Sequence, residues 1–440
     1  MIRLLETWRL SARWRQTKNT SLFLGVVFLL LPQHTNLTLQ EKEPFHIGGE
    51  KGHGNAVWFT LALSPRANEV LLVVLDNRPS EKRIKVFDAA RKQLFESVLS
   101  AYVSSEQVVQ FGDRFYFFAR KLLWIDLDNF TVDSTQVSRS DYTSIQVIPF
   151  ESGARMLASY SGGIDIYDPA NLKLTYAIQR SEQVRGDDPQ CFNNFIFFEN
   201  TETELAAYDL MTKKVVWKFN TGVRPVSLLG IKVGSMPNYV SSYRILSEQG
   251  SISLVMVTFA GDLYKLNPAT GSVIQRNERF KGTGNNAGLI TNISLVDMNQ
   301  DGTKDIVGPS VDHNVYCIDG RTLSVIWEYN TGNESQMPCS FADINGDGTP
   351  EVFSVNDEYN LTILDGRKGT LLYQMKVQEG IKSGWNQTEV LLADLNGNGL
   401  LDVIVKGGWD KLRIFELGGI SVPKNAIVWI PGRYPTTQVR

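Results

Sequence analysis

The sequence predicts an all-β protein, a β-propeller of eight four-stranded blades, with seven blades as the alternative. A strand–turn–strand pattern recurs at intervals of 38 to 58 residues, which is typical of propeller blades. Helical periodicity is nearly absent between residues 55 and 435, where short alternating apolar runs are separated by Gly, Pro, Asn and Asp. A single core would not support 440 residues, whereas repeats that pack only on their neighbours escape that limit.

Each copy of the pattern is an alternating apolar run that ends in an acidic or amide residue, followed by a tight turn and a second strand. One copy reads "NVYCIDGRTLSVIWEY" from Asn314. The first unit reads as complete from "VWFTLALS" onward, and so does the last, which ends in "AIVWIPG". Two complete end units favour eight blades over seven. The eight marker residues are Asp88, Asp126, Asp168, Asp209, Asn267, Asp319, Asp365 and Glu416.

Residues 1–40 are predicted to form a signal peptide or signal anchor ahead of a propeller domain over 45–440. Basic residues precede the apolar run "LFLGVVFLLL", Leu22–Leu31, which is predicted to be a short helix. The run is shorter than the ~20 residues of a spanning helix, which favours a cleaved peptide. No small-residue cleavage site follows, so an uncleaved signal anchor that lies in a membrane remains the second interpretation. Both versions place the remainder in the secretory pathway, extracellular or lumenal; a mitochondrial presequence is the alternative.

Composition narrows the class of partner and the redox chemistry. The net charge of −3 gives no basic footprint for nucleic acid. Three cysteines allow at most one disulfide within the chain, and the sequence does not decide the pairing of Cys191, Cys317 and Cys339. Six N-x-[ST] sequons that follow the apolar run give mild support for a glycoprotein. They begin at Asn36, Asn129, Asn292, Asn333, Asn360 and Asn386.

Three acidic loops share the pattern D-x-N-x-[DN]-G-x-x-[DE]: "DMNQDGTKD", "DINGDGTPE" and "DLNGNGLLD". Each loop begins 22 residues before the marker of its unit, which places it between that unit's early strands. The side-chain oxygens at positions 1, 3, 5 and 9 are the candidate metal ligands. They belong to Asp297, Asn299, Asp301, Asp305, Asp343, Asn345, Asp347, Glu351, Asp394, Asn396, Asn398 and Asp402.

Oxygens at alternate positions of a tight loop predict Ca²⁺, up to three ions in all. Glycine at position 6 permits the sharp turn. An EF-hand is excluded, because position 12 is Gly308, Ser354 or Val405 and a β-forming run follows instead of a helix. No Cys or His lies in any loop, which argues against a soft metal. The third loop has only two acids and is predicted to bind most weakly. The alternative is a set of Asx turns without metal.

These loops within blade-length repeats resemble the FG-GAP repeats of integrin α-subunit propellers. The strand–Asp–turn–strand copies, such as "VYCIDGRTLSVIWEYNTG", are similar to the PQQ-type propeller repeat. The basic and apolar N-terminus also resembles that of single-pass FG-GAP-repeat membrane proteins. The resemblance implies calcium with a structural role at the hairpin loops, and a propeller that contacts proteins or glycans. Blades one to four lack the acids, so calcium is expected in the last three blades only.

The predicted function is that of a non-catalytic, calcium-binding propeller serving as an extracytoplasmic interaction or scaffold domain for protein partners, with a glycan as a further ligand. The alternative is a quinoprotein-like or hydrolytic propeller enzyme. The sequence has no adjacent cysteine pair and no G-x-S-x-G motif, and Trp217 and Trp327 fall in strands where they are predicted to pack. Two loop-like insertions, Ser235–Ser251 and Gly332–Ser340, are the predicted partner contacts.

Overall fold

The computed structural model describes residues 39–42, 45–46, 57–64, 67–77, 81–101, 103, 108–150, 153–184, 189–228, 231–248, 250–278, 291–378, 389–407, 411–424 and 427–429. These residues form an eight-bladed β-propeller with no helix among them, which confirms the predicted fold class and favours eight blades over seven. The predicted N-terminal helix lies outside the described residues. Within these ranges, no helix has the length and apolar character needed to cross a membrane.

Two short strands come first along the chain, β1 (Leu39–Glu41) and β2 (Phe45–His46). Blades one to four follow, and in each blade four consecutive strands pair antiparallel as a meander. Their strands are β3 (Val57–Ser64), β4 (Glu69–Asn77), β5 (Lys82–Phe87), β6 (Gln93–Leu99); β7 (Val108–Phe111), β8 (Arg114–Phe118), β9 (Leu122–Asp126), β10 (Val132–Thr135); β11 (Ser144–Ile148), β12 (Arg155–Tyr160), β13 (Gly163–Tyr167), β14 (Leu174–Gln179); β15 (Gln190–Phe192), β16 (Phe195–Thr201), β17 (Glu204–Asp209) and β18 (Lys214–Asn220).

A two-stranded hairpin, β19 (Val223–Leu228) and β20 (Ile231–Pro237), separates blade four from blade five. Blades five to seven are meanders of the same kind as the first four. Their strands are β21 (Val240–Glu248), β22 (Ser251–Thr258), β23 (Leu263–Leu266), β24 (Val273–Asn277); β25 (Ser294–Val296), β26 (Asp305–Pro309), β27 (Asn314–Ile318), β28 (Val325–Asn330); β29 (Ser340–Ala342), β30 (Glu351–Val355), β31 (Asn360–Leu364) and β32 (Leu371–Lys376). The last strands are β33 (Val390–Ala393), β34 (Leu400–Lys406), β35 (Lys411–Ser421) and β36 (Ile427–Trp429).

The hairpin corrects one of the two predicted insertions. Residues Ser235–Ser251 are not a loop, because they contain the end of β20 and the whole of β21, the first strand of blade five. The extra length of this unit lies earlier, in residues 223–237. The second predicted insertion does form a connection, since residues 331–339 join β28 to β29 between blades six and seven.

Burial differs between the inner and outer strands of a blade. This difference explains why some strands are apolar throughout and others contain polar residues. In β4, every residue after Glu69 is buried, because both faces of the strand are covered by neighbouring blades. In β18, an outer strand, only Trp217 is buried. The apolar run of β4 is therefore that of a strand buried on both faces, whereas an outer strand such as β18 meets solvent on one side.

Eight clusters of buried apolar side chains hold the described blades together, one at each interface between neighbours. Between blades six and seven, for example, Val307 and Cys317 pack with Phe341 and Val352. The cluster between blade eight and blade one includes Phe59 from β3 and Ile404 from β34, so the last blade packs directly on the first. Each fully buried side chain of this size contributes about 1.5–3 kcal/mol.

Blade eight is assembled from both ends of the described chain. Its strand order is β1–β35–β34–β33–β36, and β2 also pairs with β35. The outermost strand is therefore N-terminal: Leu39 lies opposite Leu417 and Phe45 opposite Leu412. Phe45 is 5% exposed and contacts Phe87 of blade one edge to face, at 4.8 Å between ring centroids. We call β1, Lys42 and β2 together the closing strand.

The closing strand corrects the expectation that the last unit is complete in itself. "AIVWIPG" does not provide the outer strand, because β36 pairs with β33 on the opposite side of the blade. Trp429 of β36 lies 4.9 Å from Phe341 of blade seven between ring centroids. The blade also takes in Leu39 and Gln40, which precede the domain start predicted at residue 45 and fall within the segment predicted to end at residue 40.

Seven of the eight marker residues begin the turn between the third and fourth strands. Their side-chain oxygens accept backbone N–H groups in that turn, as when Asp365 Oδ1 accepts from Arg367 and Lys368 at 3.1 and 2.8 Å. These are Asx turns. Glu416 is the exception, because β35 continues through it to Ser421. No turn is needed there, since the fourth strand of blade eight comes from the closing strand.

Two tryptophans connect outer strands to the turn of the next blade, which agrees with their predicted packing role. Trp327 Nε1 donates to the Gly366 carbonyl at 2.8 Å, and Trp217 Nε1 donates to the Pro268 carbonyl at the same distance. The indole of Trp327 lies against Gly369, where an added Cβ would be 2.5 Å from Trp327 Cδ2. Only glycine allows this contact.

We expect Gly369→Ala to destabilise the protein more than Gly332→Ala, although both glycines have positive φ, 66° and 84°. A Cβ at Gly332 meets nothing within 4 Å, so that variant loses only the about 1–2 kcal/mol of backbone strain. Gly369→Ala adds the overpacking of Trp327, about 1–3 kcal/mol more. Chemical denaturation of both variants measures the difference, and equal losses would contradict the packing described for Trp327.

Candidate metal centre

The three acidic loops occupy the same place in three successive blades. The first joins β25 to β26, the second joins β29 to β30, and the third joins β33 to β34. Each therefore connects the first and second strands of its blade, as the 22-residue offset predicted. In a meander, this connection lies at the same end of the blade as the turn after the third strand, so each loop lies beside the marker residue of its own blade.

The acid at position 1 already has a defined role within each loop. Asp343 Oδ1 accepts the Gly346 N–H at 2.7 Å, and Asp343 Oδ2 accepts the Gly348 N–H at 2.9 Å. The equivalent bonds join Gly302 N to Asp297 Oδ2 at 3.0 Å and Gly399 N to Asp394 Oδ2 at 2.9 Å. Each loop is thus curled around its first side chain.

Positions 3 and 5 continue the same pattern, each accepting the N–H two residues later. In the second loop, Asn345 Oδ1 accepts from Asp347 N and Asp347 Oδ1 accepts from Thr349 N, both at 2.8 Å. In the other loops the same bonds measure 2.7–2.9 Å. The backbone N–H groups of Asp301, Thr303, Asn398 and Leu400 donate to the side-chain oxygens of Asn299, Asp301, Asn396 and Asn398, respectively. The predicted ligand oxygens at positions 1, 3 and 5 are therefore turned into the loop in all three copies.

Two positions of each loop have positive φ, and the sequence pattern revealed only one of them. Position 6 was predicted, and Gly302, Gly348 and Gly399 have φ of 82–84°. Position 4 also lies in the left-handed region, with Gly346 at 75° and Gly397 at 70°. The first loop has Gln300 there at 59°, a conformation that side chains other than Gly, Asn and Asp adopt rarely. The glycine shared by two of the three loops was the available signal.

The acid at position 9 is almost completely buried in each loop. Asp305, Glu351 and Asp402 are 0–1% exposed. Each accepts the backbone N–H of position 2, at 2.8–3.0 Å. Burial raises the pKa of Asp305 to about 6 and the pKa values of Glu351 and Asp402 to about 7, partly opposed by those backbone bonds, and nearby carboxylates raise them further. The acid at position 9 is therefore placed where it is almost completely shielded from water.

The marker residue supplies a further acid to each loop, which the sequence analysis did not include in the site. Asn299 Nδ2 lies 3.4 Å from Asp319 Oδ2, and Asn398 Nδ2 donates to Glu416 Oε2 at 2.6 Å. The charge of Asp365 raises the pKa of Glu351 in the second loop. The constant offset of 22 residues was the signal that could have identified this acid, because it fixes the two patterns in one register.

Gln300 connects the first loop to the second. Its Nε2 donates to the Asp347 carbonyl and to Thr349 Oγ1, both at 2.9 Å, and Arg367 Nη2 lies 3.4 Å from its Oε1. The corresponding residues of the other loops are glycines, so the same contact does not join the second loop to the third. The first two loops therefore form a connected pair.

The donor set fits a hard cation. All the candidate ligand atoms of the side chains are oxygens, and Asp402 Oδ1 is buried without a hydrogen-bond partner among the residues that the structure describes. In the described part of the chain, however, no three Asp, Glu, His or Cys side chains converge closely enough to form a ready-made metal cluster. The carboxylates are held on backbone N–H groups instead. An ionised carboxylate has about four lone-pair sites, so one that accepts an N–H can still bind an ion, with amide oxygens completing the shell.

The histidines and cysteines of the chain lie away from the three loops or outside the described residues. His53 and His34 are outside, His46 is in β2, and His313 is in the turn between β26 and β27 with φ of 77°. All three cysteines are free thiols. Burial raises the pKa of Cys339 to about 12, which opposes thiolate formation.

Comparison with known proteins identifies part of the chain. Residues 343–405, which span the second and third loops, match the FG-GAP-like repeat family. The computationally designed protein Ika8 is similar in structure, with a TM-score of 0.55 at 13% identity over 84% of this chain and 99% of Ika8. BamB from Moraxella catarrhalis is similar at a TM-score of 0.52 and 13% identity, over 86% of this chain and 100% of BamB.

At this identity, the two structures show the fold alone. A search of curated protein sequences finds no match. The similarity to FG-GAP repeats stated from the loop pattern is confirmed for the stretch that contains two of the three loops. The chain is an eight-bladed β-propeller that contains an FG-GAP-like repeat.

Proposed function

We propose that this protein is a non-catalytic propeller whose last three blades bind calcium, and that it serves as an extracytoplasmic scaffold for protein partners. The observation that supports calcium most strongly is in the third loop, where Asp402 Oδ1 is buried, has no hydrogen-bond partner among the described residues, and lies near the carboxylates of Asp394 and Glu416. Burying an ionised oxygen without a partner is costly, and a bound cation removes that cost.

Each ion would be held by the side-chain oxygens at positions 1, 3, 5 and 9 of its loop, giving up to three ions. The chemistry is structural: a dication neutralises the buried acid at position 9 and fixes the loop between the first two strands of the blade. These ligands stand at the ends of strands that are almost fully buried, such as β30 and β34. Calcium would therefore stabilise the folded blades and take no part in a reaction.

The non-catalytic role is supported by how the candidate enzyme residues are used. Trp217 and Trp327 donate to backbone carbonyls of neighbouring blades and pack on glycines. Cys317 and Cys339 lie in the apolar cluster between blades six and seven. An enzyme of the quinoprotein or hydrolytic type remains the alternative, and turnover of such a substrate by the purified protein would favour it.

Protein partners are proposed to bind the segments that project from the blades, with a glycan as the second ligand class. The hairpin of β19 and β20 pairs with none of the described blades. Val223 at its start is 69% exposed, and Phe259 in a neighbouring turn is 37% exposed. Two-stranded hairpins are marginally stable alone, which suits a segment that is completed by a partner.

Calcium should stabilise the protein through Asp343, and Asp343→Ala should remove the contribution of that site to the free energy of unfolding. With free calcium at a hundredfold excess over Kd, one site contributes about 2.7 kcal/mol to the free energy of unfolding. In chelator, the variant loses two backbone hydrogen bonds but also relieves repulsion among carboxylates, so we expect a cost of about 1 kcal/mol or less. Thermal and chemical denaturation with calcium and with EGTA measure both values.

Asp209→Ala is the matched control, because Asp209 forms an Asx turn in blade four by accepting the Met211 N–H at 2.8 Å. Its cost should be equal with and without calcium. Asp394→Ala should respond to calcium in the same direction as Asp343→Ala, with a smaller calcium-dependent part. If Asp343→Ala costs the same in both conditions, the loops are Asx turns without metal and the proposed function is wrong.

Entry into the secretory pathway predicts a glycan at Asn129, which is exposed in the turn between β9 and β10. Endoglycosidase should shift the mobility of the wild-type protein, and Asn129→Gln should reduce that shift. Asn360→Gln is the control, because Asn360 begins β31 and Thr362 of its sequon is 0% exposed, so this variant should leave the shift unchanged. An unglycosylated protein recovered from mitochondria would instead favour the alternative location.

A further inference from the structure

The third loop differs from the other two in the origin of its neighbours. The first and second loops lie within meanders of consecutive strands, whereas the third lies in the blade that both chain ends complete. On one side, Val422 N donates to the Gly399 carbonyl at 2.9 Å. On the other side, Lys42 of the closing strand reaches Glu416, with Nζ 3.0 Å from Oε1. The loop is thus bounded by residues from both ends of the propeller.

Glu416 connects Lys42 to the third loop. Its Oε1 accepts from Lys42, and its Oε2 accepts from Asn398 Nδ2 at 2.6 Å. Glu416 also lies opposite Asp402 in the register of β34 and β35, and its charge acts on Asp402. The side chains of Lys42 and Glu416 are 32% and 10% exposed, so this ion pair is partly shielded from water.

The balance of charge follows from this arrangement. Asp394, Asp402 and Glu416 make three acids, while Asn398 stands where the other two loops have aspartate. The positive charge of Lys42 offsets one of these three negative charges. The second loop has four acids, counting its marker: Asp343, Asp347, Glu351 and Asp365. Lys42 therefore stands beside the loop with the fewest acids. In the same loop, Asp402 Oδ1 is buried without a hydrogen-bond partner in the described part of the chain, and the charges of Glu416, Asp394 and Lys42 act on this carboxyl group.

We propose that the calcium site of the third loop includes Glu416, and that Lys42 is a competing cation which lowers the affinity of that site for calcium. The ion pair between Lys42 and Glu416 thereby couples occupancy of the site to closure of the ring. This inference rests on the proposed calcium function. When calcium is absent, the Lys42 ammonium supplies part of the positive charge that Glu416 requires, and the closing strand is held to β35. When calcium binds, the ion and Lys42 share Glu416, so Lys42 opposes the ion.

Lys42→Met tests this competition. Removing one positive charge a few ångströms from a dication should lower the calcium concentration at half-occupancy of the third loop roughly tenfold. Hydrogen–deuterium exchange of a peptide covering residues 394–405, followed through a calcium titration of the full-length protein, reports that midpoint. A peptide covering residues 343–355 reports the second loop in the same sample and should keep the wild-type midpoint.

Glu41→Gln is the matched control for damage to the closing strand. Glu41 adjoins Lys42 and pairs with Arg413, with Nε 2.6 Å from Oε1 and Nη2 2.6 Å from Oε2, away from the loop. This variant should weaken the closing strand without moving the third-loop midpoint. Lys42→Arg retains the positive charge, so its midpoint should stay within about twofold of the wild-type midpoint. Exchange of peptides covering β35 confirms that each variant is folded.

The outcomes separate this inference from the function on which it rests. If residues 343–355 gain protection with calcium while Lys42→Met leaves the midpoint of residues 394–405 unchanged or raises it, the role of Lys42 is wrong and the calcium function stands. If Glu41→Gln shifts the midpoint as much as Lys42→Met, the effect belongs to the strand and the proposal is also overturned. If neither loop responds to calcium in the wild type, both proposals fail.

Discussion

Closure of the ring is the constraint on which the rest of this structure depends. Each blade buries its inner strands only against its two neighbours, so blades one and eight are incomplete until they meet. The cluster that joins them contains side chains from β3, β4 and β34, together with Phe45 of the closing strand. A segment that precedes the first blade in sequence thus completes the last one, and the ends of the propeller are stabilised together.

In all three acidic loops, a carboxylate at position 9 is buried near the start of the second strand of the blade. A carboxylate at position 9 satisfies the backbone of a tight loop, but the same burial makes its charge costly, as the raised pKa values of Asp305 and Glu351 show. A proton or a cation relieves that cost, and only the cation also uses the oxygens at positions 1, 3 and 5. In blade eight, Lys42 contributes positive charge from a distant part of the chain. Glu416 therefore contacts both the third loop and the closing strand that completes the ring.

The sequence predicted the features that repeat, because repetition separates a pattern from chance. Eight marker residues and a fixed offset were sufficient for the number of blades and for the position of the loops. Features that occur once were missed. The three residues of β1 give no periodicity, and Glu416 reads as a turn marker although it continues a strand that pairs with β1. Such long-range pairing has no local signal in the sequence. The hairpin within residues 223–237 also occurs only once, and its position was predicted too late in the chain.

The central claim is that the three loops bind calcium, and counting the bound metal tests it most directly. Full-length protein is dialysed to equilibrium against buffered free calcium, and the metal retained per chain is measured by elemental analysis. The account predicts about three ions per chain at saturation, each held by the six to eight oxygens that calcium requires. Retention of no calcium above the buffer, at any concentration in the millimolar range that weak extracellular sites require, would contradict it.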